Sequence, residues 1–143
     1  MRKSRGCSSL RSSLPFFLLG GGMYTLIELI WRHRTHPSMF VAGGLCFVLL
    51  DRVSNVWMCK RRLVSQCAVG ALLITLVELV VGLIVNVLLG WAVWDYSSMK
   101  YQFKGQVCLL YSILWFFLCF PACLLCKLLH KIPDRLRAMR QSH

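Results

Sequence analysis

The sequence predicts an all-α integral membrane protein, a helical bundle of four transmembrane helices with both termini in the cytoplasm. Its 143 residues are 57% hydrophobic with a mean hydropathy of +0.62, which is too apolar for a soluble domain of this length. Four apolar runs approach or exceed the roughly 20 residues that cross a bilayer core. The net charge of +12 comes from basic residues that lie mostly between and beyond these runs.

The chain divides into three regions: a basic tail at 1–13, a membrane domain at 14–129 and a second basic tail at 130–143. The predicted spans cover residues 14–31, 39–58, 67–91 and 107–129. The first is predicted to be a retained span rather than a signal peptide, because its apolar run continues to Trp31 without a clear small-residue cleavage site.

Two prolines interrupt the last part of the sequence. Pro121 lies inside the fourth span, where a proline removes one helix hydrogen bond and is expected to kink the helix. Pro133, followed by Asp134, is typical of a helix start. The C-terminal tail is therefore predicted to form a short basic amphipathic helix on the membrane surface.

Lysine and arginine are distributed unequally over the two sides of this topology, with Arg52 left out of the count because it lies inside the second span. One side holds twelve, namely Arg2, Lys3, Arg5, Arg11, Lys60, Arg61, Arg62, Lys127, Lys131, Arg135, Arg137 and Arg140. The other side holds four, namely Arg32, Arg34, Lys100 and Lys104. Because cytoplasmic loops carry the excess of positive charge, the count predicts a multi-pass protein of the cell (cytoplasmic) membrane with both termini inside.

The third span contains an unusual set of polar and small residues. Steps of four, three, four and four place Ala71, Thr75, Glu78, Gly82 and Asn86 on one helical face. A carboxylate near the bilayer centre costs at least about 2.5 kcal/mol, so it needs a partner, a proton or a water-filled cavity. Small residues in such positions usually let helices approach closely. The predicted packing glycines are Gly82 here and, in the second span, Gly43 and Gly44.

Glu28 is the second membrane carboxylate, and it shares a helical face with Arg32. In the predicted orientation Glu28 lies roughly 21 Å from the inner end of its helix and Glu78 about 15 to 20 Å from the inner end of its own. Further out come the residues Asn86, Asp95, Arg32, Arg34 and His36. The hypothesis is that they line one polar pocket open to the outside; the alternative is that the residues around the first loop are merely solvated.

No cofactor, metal site or nucleic-acid partner is predicted. The residues Cys46, Cys108, Cys119, Cys123 and Cys126 lie in apolar segments, where cysteine behaves as a small hydrophobic side chain. Although the spacing of Cys123 and Cys126 is typical of redox sites, these apolar surroundings argue against a redox role. A metal site at Glu28, His33 and His36 is disfavoured, because histidines at a membrane boundary are more often interfacial. The sequence contains no ATPase or catalytic signature, so an enzyme is not predicted.

Three runs resemble a family of bacterial membrane proteins. They are YTLIELIWR-x-x-TH-x-SMF-x-x-GGLCF (24–47), ITLVELVVGLIVNVLLGWAVWDYS (74–97) and GQVCLLYSILWF (105–116). They are similar to the putative ABC-transporter type IV family, also described as putative ABC transporter permeases. The resemblance implies transport, and it implies functional positions at Glu28, Trp31, Arg32, Thr35, His36, Glu78, Gly82, Asn86, Trp94, Asp95, Tyr96 and Gln106.

The leading functional prediction is a small permease-like component of the lipid bilayer that binds or moves an unknown solute through the outer-half pocket. Since no ATPase domain is present, it would form a homo-oligomer or join a separate membrane or ATPase partner. One alternative is a non-transporting accessory or scaffold subunit, in which Glu28 and Glu78 are paired internally. A less favoured alternative is a membrane enzyme acting on lipid or envelope intermediates, with Glu28, His36 and Asp95 as acid and base groups.

Overall fold

A computed structural model describes residues 13–141, with side chains as far as Ile132. Its helices are α1 (Leu14–Arg32), α2 (Pro37–Arg52), α3 (Leu63–Gly82) and α4 (Leu109–Gln141). Wider π-helical segments continue α2 over Val53–Trp57 and α3 over Leu83–Leu88. The basic residues predicted for the first tail (Arg2, Lys3, Arg5 and Arg11) lie outside the described residues, as do the side chains of Arg135, Arg137 and Arg140.

Four helices are long and apolar enough to cross a membrane, namely Leu14–Arg32, Pro37–Trp57, Leu63–Leu88 and Leu109–Ile132. The predicted all-α architecture with four apolar spans is therefore confirmed, and the chain is a multi-pass membrane protein. Many leucine, isoleucine and valine side chains on these helices remain exposed on the surface of the bundle. This is the surface that a bilayer solvates, since lipid tails are as apolar as leucine.

The α3–α4 connection, residues 89–108, is longer than the sequence indicated. The helical course of α3 ends at Leu88 rather than at 91, and the N–H of Trp91 bonds back to the carbonyl oxygen of Val85 at 3.0 Å. Strand β1 (Gln102–Phe103) pairs antiparallel with β2 (Val107–Cys108). The fourth helix therefore begins at Leu109 instead of 107, because β2 uses the two preceding residues.

Helix α4 runs without interruption through Pro121 and Pro133 to Gln141. The separate tail helix expected from Pro133 is thus a continuation of α4, which crosses the predicted boundary between membrane domain and tail. The residues around Pro133 are mainly Leu, Lys, Arg, Ala and Met, which have high helix propensity. With no glycine nearby to end the helix, the loss of single hydrogen bonds at the prolines does not stop it.

Glycines set the close contact between α1 and α2. An added Cβ on Gly20 would overlap Phe47 and lie 2.9 Å from the carbonyl oxygen of Gly43. A Cβ on Gly43 would overlap the side chain of Tyr24, and one on Gly44 would lie 2.8 Å from the carbonyl oxygen of Phe17. Both predicted packing glycines of the second span therefore lie where two helix backbones approach each other.

Small side chains also fill the centre of the bundle. Cys67, Cys119 and Cys123 are fully buried beside Leu50 and Ile74, where α2, α3 and α4 meet. These cysteines are free thiols. They pack as small hydrophobic side chains and bring the helices close together.

We predict that Gly43→Ala lowers the midpoint of thermal unfolding of the protein in nanodiscs, because the added methyl group would overlap the rigid stem of Tyr24. Overpacking of this kind costs about 1–3 kcal/mol. The control is Gly22→Ala, because a Cβ there meets nothing within 4 Å. A midpoint for Gly43→Ala equal to or above that of the control would contradict the glycine contact.

Candidate functional site

Hydrogen bonds to the two members of one ion pair in α1 join the two connections at one end of the bundle, the α1–α2 connection (33–36) and the α3–α4 connection. Arg32, at the end of α1, donates from Nη1 to Oε1 of Glu28 at 3.3 Å. Its Nη2 donates to the carbonyl oxygen of Val93 at 3.1 Å. Arg32, oriented by Glu28, thus holds the α3–α4 connection against α1.

The turn between α1 and α2 brings a third group to Glu28. Helix α1 ends at His33, which has a left-handed φ of 56° and donates its N–H to the carbonyl oxygen of Leu29 at 3.1 Å. Helix α2 starts with Pro37 after His36, whose ring nitrogen accepts the N–H of Ser38 at 3.3 Å. Between them Thr35 turns back and donates from Oγ1 to Oε2 of Glu28 at 3.1 Å.

A cavity of about 180 Å³ lies at this end of the bundle. We call it the polar pocket, and its lining residues are Glu28, Arg32, Arg34, Thr35, His36, Trp91, Ala92 and Val93. The ring of His36 contacts that of Trp91 at a centroid distance of 5.0 Å. The pocket has room for about six water molecules. It is therefore sized for a small solute.

The accessible charge in the polar pocket is positive. The side chain of Glu28 is only 9% exposed, whereas that of Arg32 is 32% exposed. Both carboxylate oxygens of Glu28 already accept a hydrogen bond. Arg34 is exposed, and no carboxylate among the described side chains lies within 4.0 Å of it. The positive charges of the lining are therefore more accessible to a solute than the negative one.

Asn86 and Gln106 lie in a second network, beside the polar pocket rather than in its lining. Asn86 donates from Nδ2 to Oε1 of Gln106 at 2.8 Å and to the carbonyl oxygen of Trp94 at 3.0 Å. Its Oδ1 accepts the N–H of Val93 at 2.7 Å. The indole N–H of Trp94, a buried residue, donates to the carbonyl oxygen of Gln106 at 2.9 Å. These bonds hold the α3–α4 connection on the end of α3.

Gly82 makes room for this network. A Cβ at that position would lie 2.5 Å from Oε1 of Gln106 and 3.0 Å from the ring of Trp94. The predicted packing glycine of the third span therefore faces the α3–α4 connection.

Asp95 and Tyr96 also lie in the α3–α4 connection, outside the lining of the polar pocket. Asp95 is exposed and accepts hydrogen bonds from the hydroxyl and the N–H of Ser97. These bonds, the hydroxyl's first, lower the pKa of the Asp95 carboxyl. Tyr96 stacks on Tyr111 at a centroid distance of 4.7 Å. Burial raises the pKa of the Tyr96 hydroxyl.

Glu78 belongs neither to the lining of the polar pocket nor to the network around Asn86 and Gln106. It is 6% exposed, and no basic side chain among those described lies within 4.0 Å of it. Its neighbours include Tyr24, Cys46 and Trp115. The indole nitrogen of Trp115 lies beside this carboxyl group without a hydrogen bond shorter than 3.5 Å. Glu78 is thus a buried carboxyl group with no charged partner in the described part of the chain.

The opposite end of the bundle holds a polar cluster that the sequence analysis did not single out. Nε2 of His130 lies 2.7 Å from Oδ1 of Asp51, which also accepts a hydrogen bond from Asn55 at 2.9 Å. Nearby, Lys127 donates to Oε1 of Gln66 at 2.7 Å. One feature of the sequence could have predicted part of this cluster. The three-residue spacing of Lys127 and His130 places two polar side chains on one face of an apolar run.

The described residues include no group of three or more His, Cys, Asp or Glu side chains able to hold a metal ion.

The chain matches a family model described as "Putative ABC-transporter type IV" over residues 16–142. The chain belongs to this family. The match confirms the resemblance found in residues 24–116 and extends it through α4. Comparison with curated proteins and with solved structures gives no match. The family match and the four apolar spans together identify an ABC-transporter-related membrane protein.

We predict that Asn86→Ala lowers the unfolding midpoint in nanodiscs, because it removes the partners of Oε1 of Gln106 and of two backbone groups of the α3–α4 connection. A buried group left unsatisfied costs about 1–3 kcal/mol. Ser98→Ala is the control, since Ser98 is an exposed residue of the same connection. Equal midpoints for the two variants would show that the network does not hold the connection.

Proposed function

We propose that this protein is a small membrane subunit that binds a polar solute in the polar pocket, in the service of ABC-type transport. Family membership supports the transport-related role. The observation that carries the binding role is the polar pocket itself, a cavity of about 180 Å³ with two arginines in its lining. Charged side chains within membrane spans, such as Glu28 and Arg32 of α1, usually mark solute or ion pathways.

The polar pocket is supported by contacts that would hold it in one shape before a solute arrives. Glu28 orients Arg32, and Arg32 in turn binds the backbone at Val93, which lines the opposite wall. Thr35 bonds the same carboxylate from the first wall. A binding site that is already ordered loses less entropy on binding, so this arrangement favours recognition of a small solute.

The distribution of basic residues supports an outward-facing polar pocket. The end of the bundle that contains the pocket carries four of the Lys and Arg residues counted above, against twelve on the other side. In this proposal the protein sits in the cell membrane with both termini inside and takes its solute from the outer face. In this proposal a homo-oligomer supplies further membrane spans, or a separate ATPase partner supplies the energy of transport.

The second candidate is the accessory or scaffold subunit. The internal pairing of Glu28 and the network around Asn86 favour it, because these polar groups all find partners within the chain. Arg34 separates the two candidates. The internal pairing that favours a scaffold does not involve Arg34, whereas a binding subunit would use this unpaired arginine on the solute.

We predict that Arg34→Ala accumulates normally in the membrane but fails to restore the phenotype of a deletion strain. Arg34 is exposed and makes no ion pair with a described side chain, so its loss should leave the fold intact. Lys100→Ala is the matched control, since Lys100 is an exposed cation outside the lining of the polar pocket. Full rescue by Arg34→Ala would refute solute binding there and favour the scaffold.

A further inference from the structure

We infer that the polar pocket takes a small anion, a ligand with a carboxylate or phosphate-type group that binds Arg34 and Arg32. This inference deepens the proposed function and rests on it. It follows from which charges in the pocket are still available to a ligand and from what surrounds them.

The single acidic residue in the lining cannot attract a cation strongly. Glu28 is nearly buried, and its two oxygens accept hydrogen bonds from Arg32 and Thr35. The ion pair with Arg32 offsets its charge. Arg34 then remains as an uncompensated positive charge, because no described carboxylate lies within 4.0 Å of it.

Guanidinium groups suit the proposed ligand geometrically. Each presents a planar set of N–H donors that matches a carboxylate or phosphate with two parallel hydrogen bonds. Arg32 already uses one nitrogen on Glu28 and another on Val93, which fixes its position. Arg34 has no such bond, so its donors are available to the ligand.

The start of α2 adds to the positive field. This helix of 16 residues begins at Pro37, directly after Thr35 and His36 of the pocket lining. A helix N-terminus carries about half a positive charge. The N–H groups of Ser38 and Met39 bond to His36, so the helix contributes its field here rather than these two donors.

The size of the polar pocket and its aromatic wall further restrict the size and chemistry of the ligand. A volume of about 180 Å³ admits one anionic group with a few attached carbon atoms. The half-exposed ring of Trp91 gives such carbon atoms an apolar surface. The anion has two conceivable sources, a free solute or the headgroup of an anionic lipid, since the pocket lies at the end of the membrane helices.

The test measures the unfolding midpoint of the whole protein in nanodiscs of zwitterionic lipid at constant ionic strength. Inorganic phosphate, succinate, choline and glucose are titrated in turn. A second arm replaces part of the lipid by phosphatidylglycerol and adds no solute. A ligand that binds the folded state raises the midpoint in proportion to its occupancy. Wild type, Arg34→Ala and Lys100→Ala are compared in both arms.

We expect phosphate or succinate to raise the midpoint of wild type and of Lys100→Ala. Arg34→Ala should need about tenfold more ligand for the same rise, the loss expected from one charge-assisted hydrogen bond. A rise that depends on Arg34 and occurs only with phosphatidylglycerol would support the same anion chemistry with a lipid headgroup as its source.

Other results would overturn the inference. A rise with choline or glucose that depends on Arg34, without one for the anions, would refute the anion while leaving solute binding intact. An equal rise in wild type and Arg34→Ala would place the anion elsewhere on the protein. If no solute and no lipid changes the midpoint of wild type, the anion inference and the proposed binding function both fail.

Discussion

The arrangement of the polar pocket depends on how one carboxylate is accommodated at the end of an apolar bundle. Charged groups are costly there unless they are paired and hydrogen-bonded. Glu28 meets this requirement with Arg32 and Thr35, and Arg32 extends the bonding to Val93. Hydrogen bonds to the two members of this ion pair therefore join two connections that are about 60 residues apart in sequence. The pocket exists because these connections are held facing each other.

The other buried amide and carboxyl side chains of the described residues follow the same rule at different places, with one exception. Asn86 and Gln106 satisfy each other and the backbone of the α3–α4 connection, and Asp51 meets Asn55 and His130 at the opposite end. Removing one member of such a set leaves its partner unpaired, which is more costly than the set is stabilising. Glu78 is the exception, since it has no basic partner among the described side chains.

Hydrophobic runs were sufficient to predict the four spans, and the four-residue step from Glu28 to Arg32 placed on one helical face the two side chains that the structure pairs. The α3–α4 connection was predicted poorly because its apolar residues, including Trp91 and Trp94, prolong the hydrophobic run of α3. Local periodicity could not show that Trp94 turns inward to bond Gln106. The contact of Asp51 with His130 spans 79 residues, so no local pattern predicts it. The single pocket that was expected is in fact a pocket beside a separate hydrogen-bond network.

The two membrane carboxylates provide the most direct test, because the structure gives them different roles. We would measure the unfolding midpoints of Glu28→Gln and Glu78→Gln beside wild type in the same nanodiscs. We expect a clear fall for Glu28→Gln, which loses the ion pair with Arg32. We expect no fall for Glu78→Gln, since a neutral amide of equal size replaces an acid without a basic partner. A fall for Glu78→Gln as large as that for Glu28→Gln would show that the two carboxyl groups do not differ in this way.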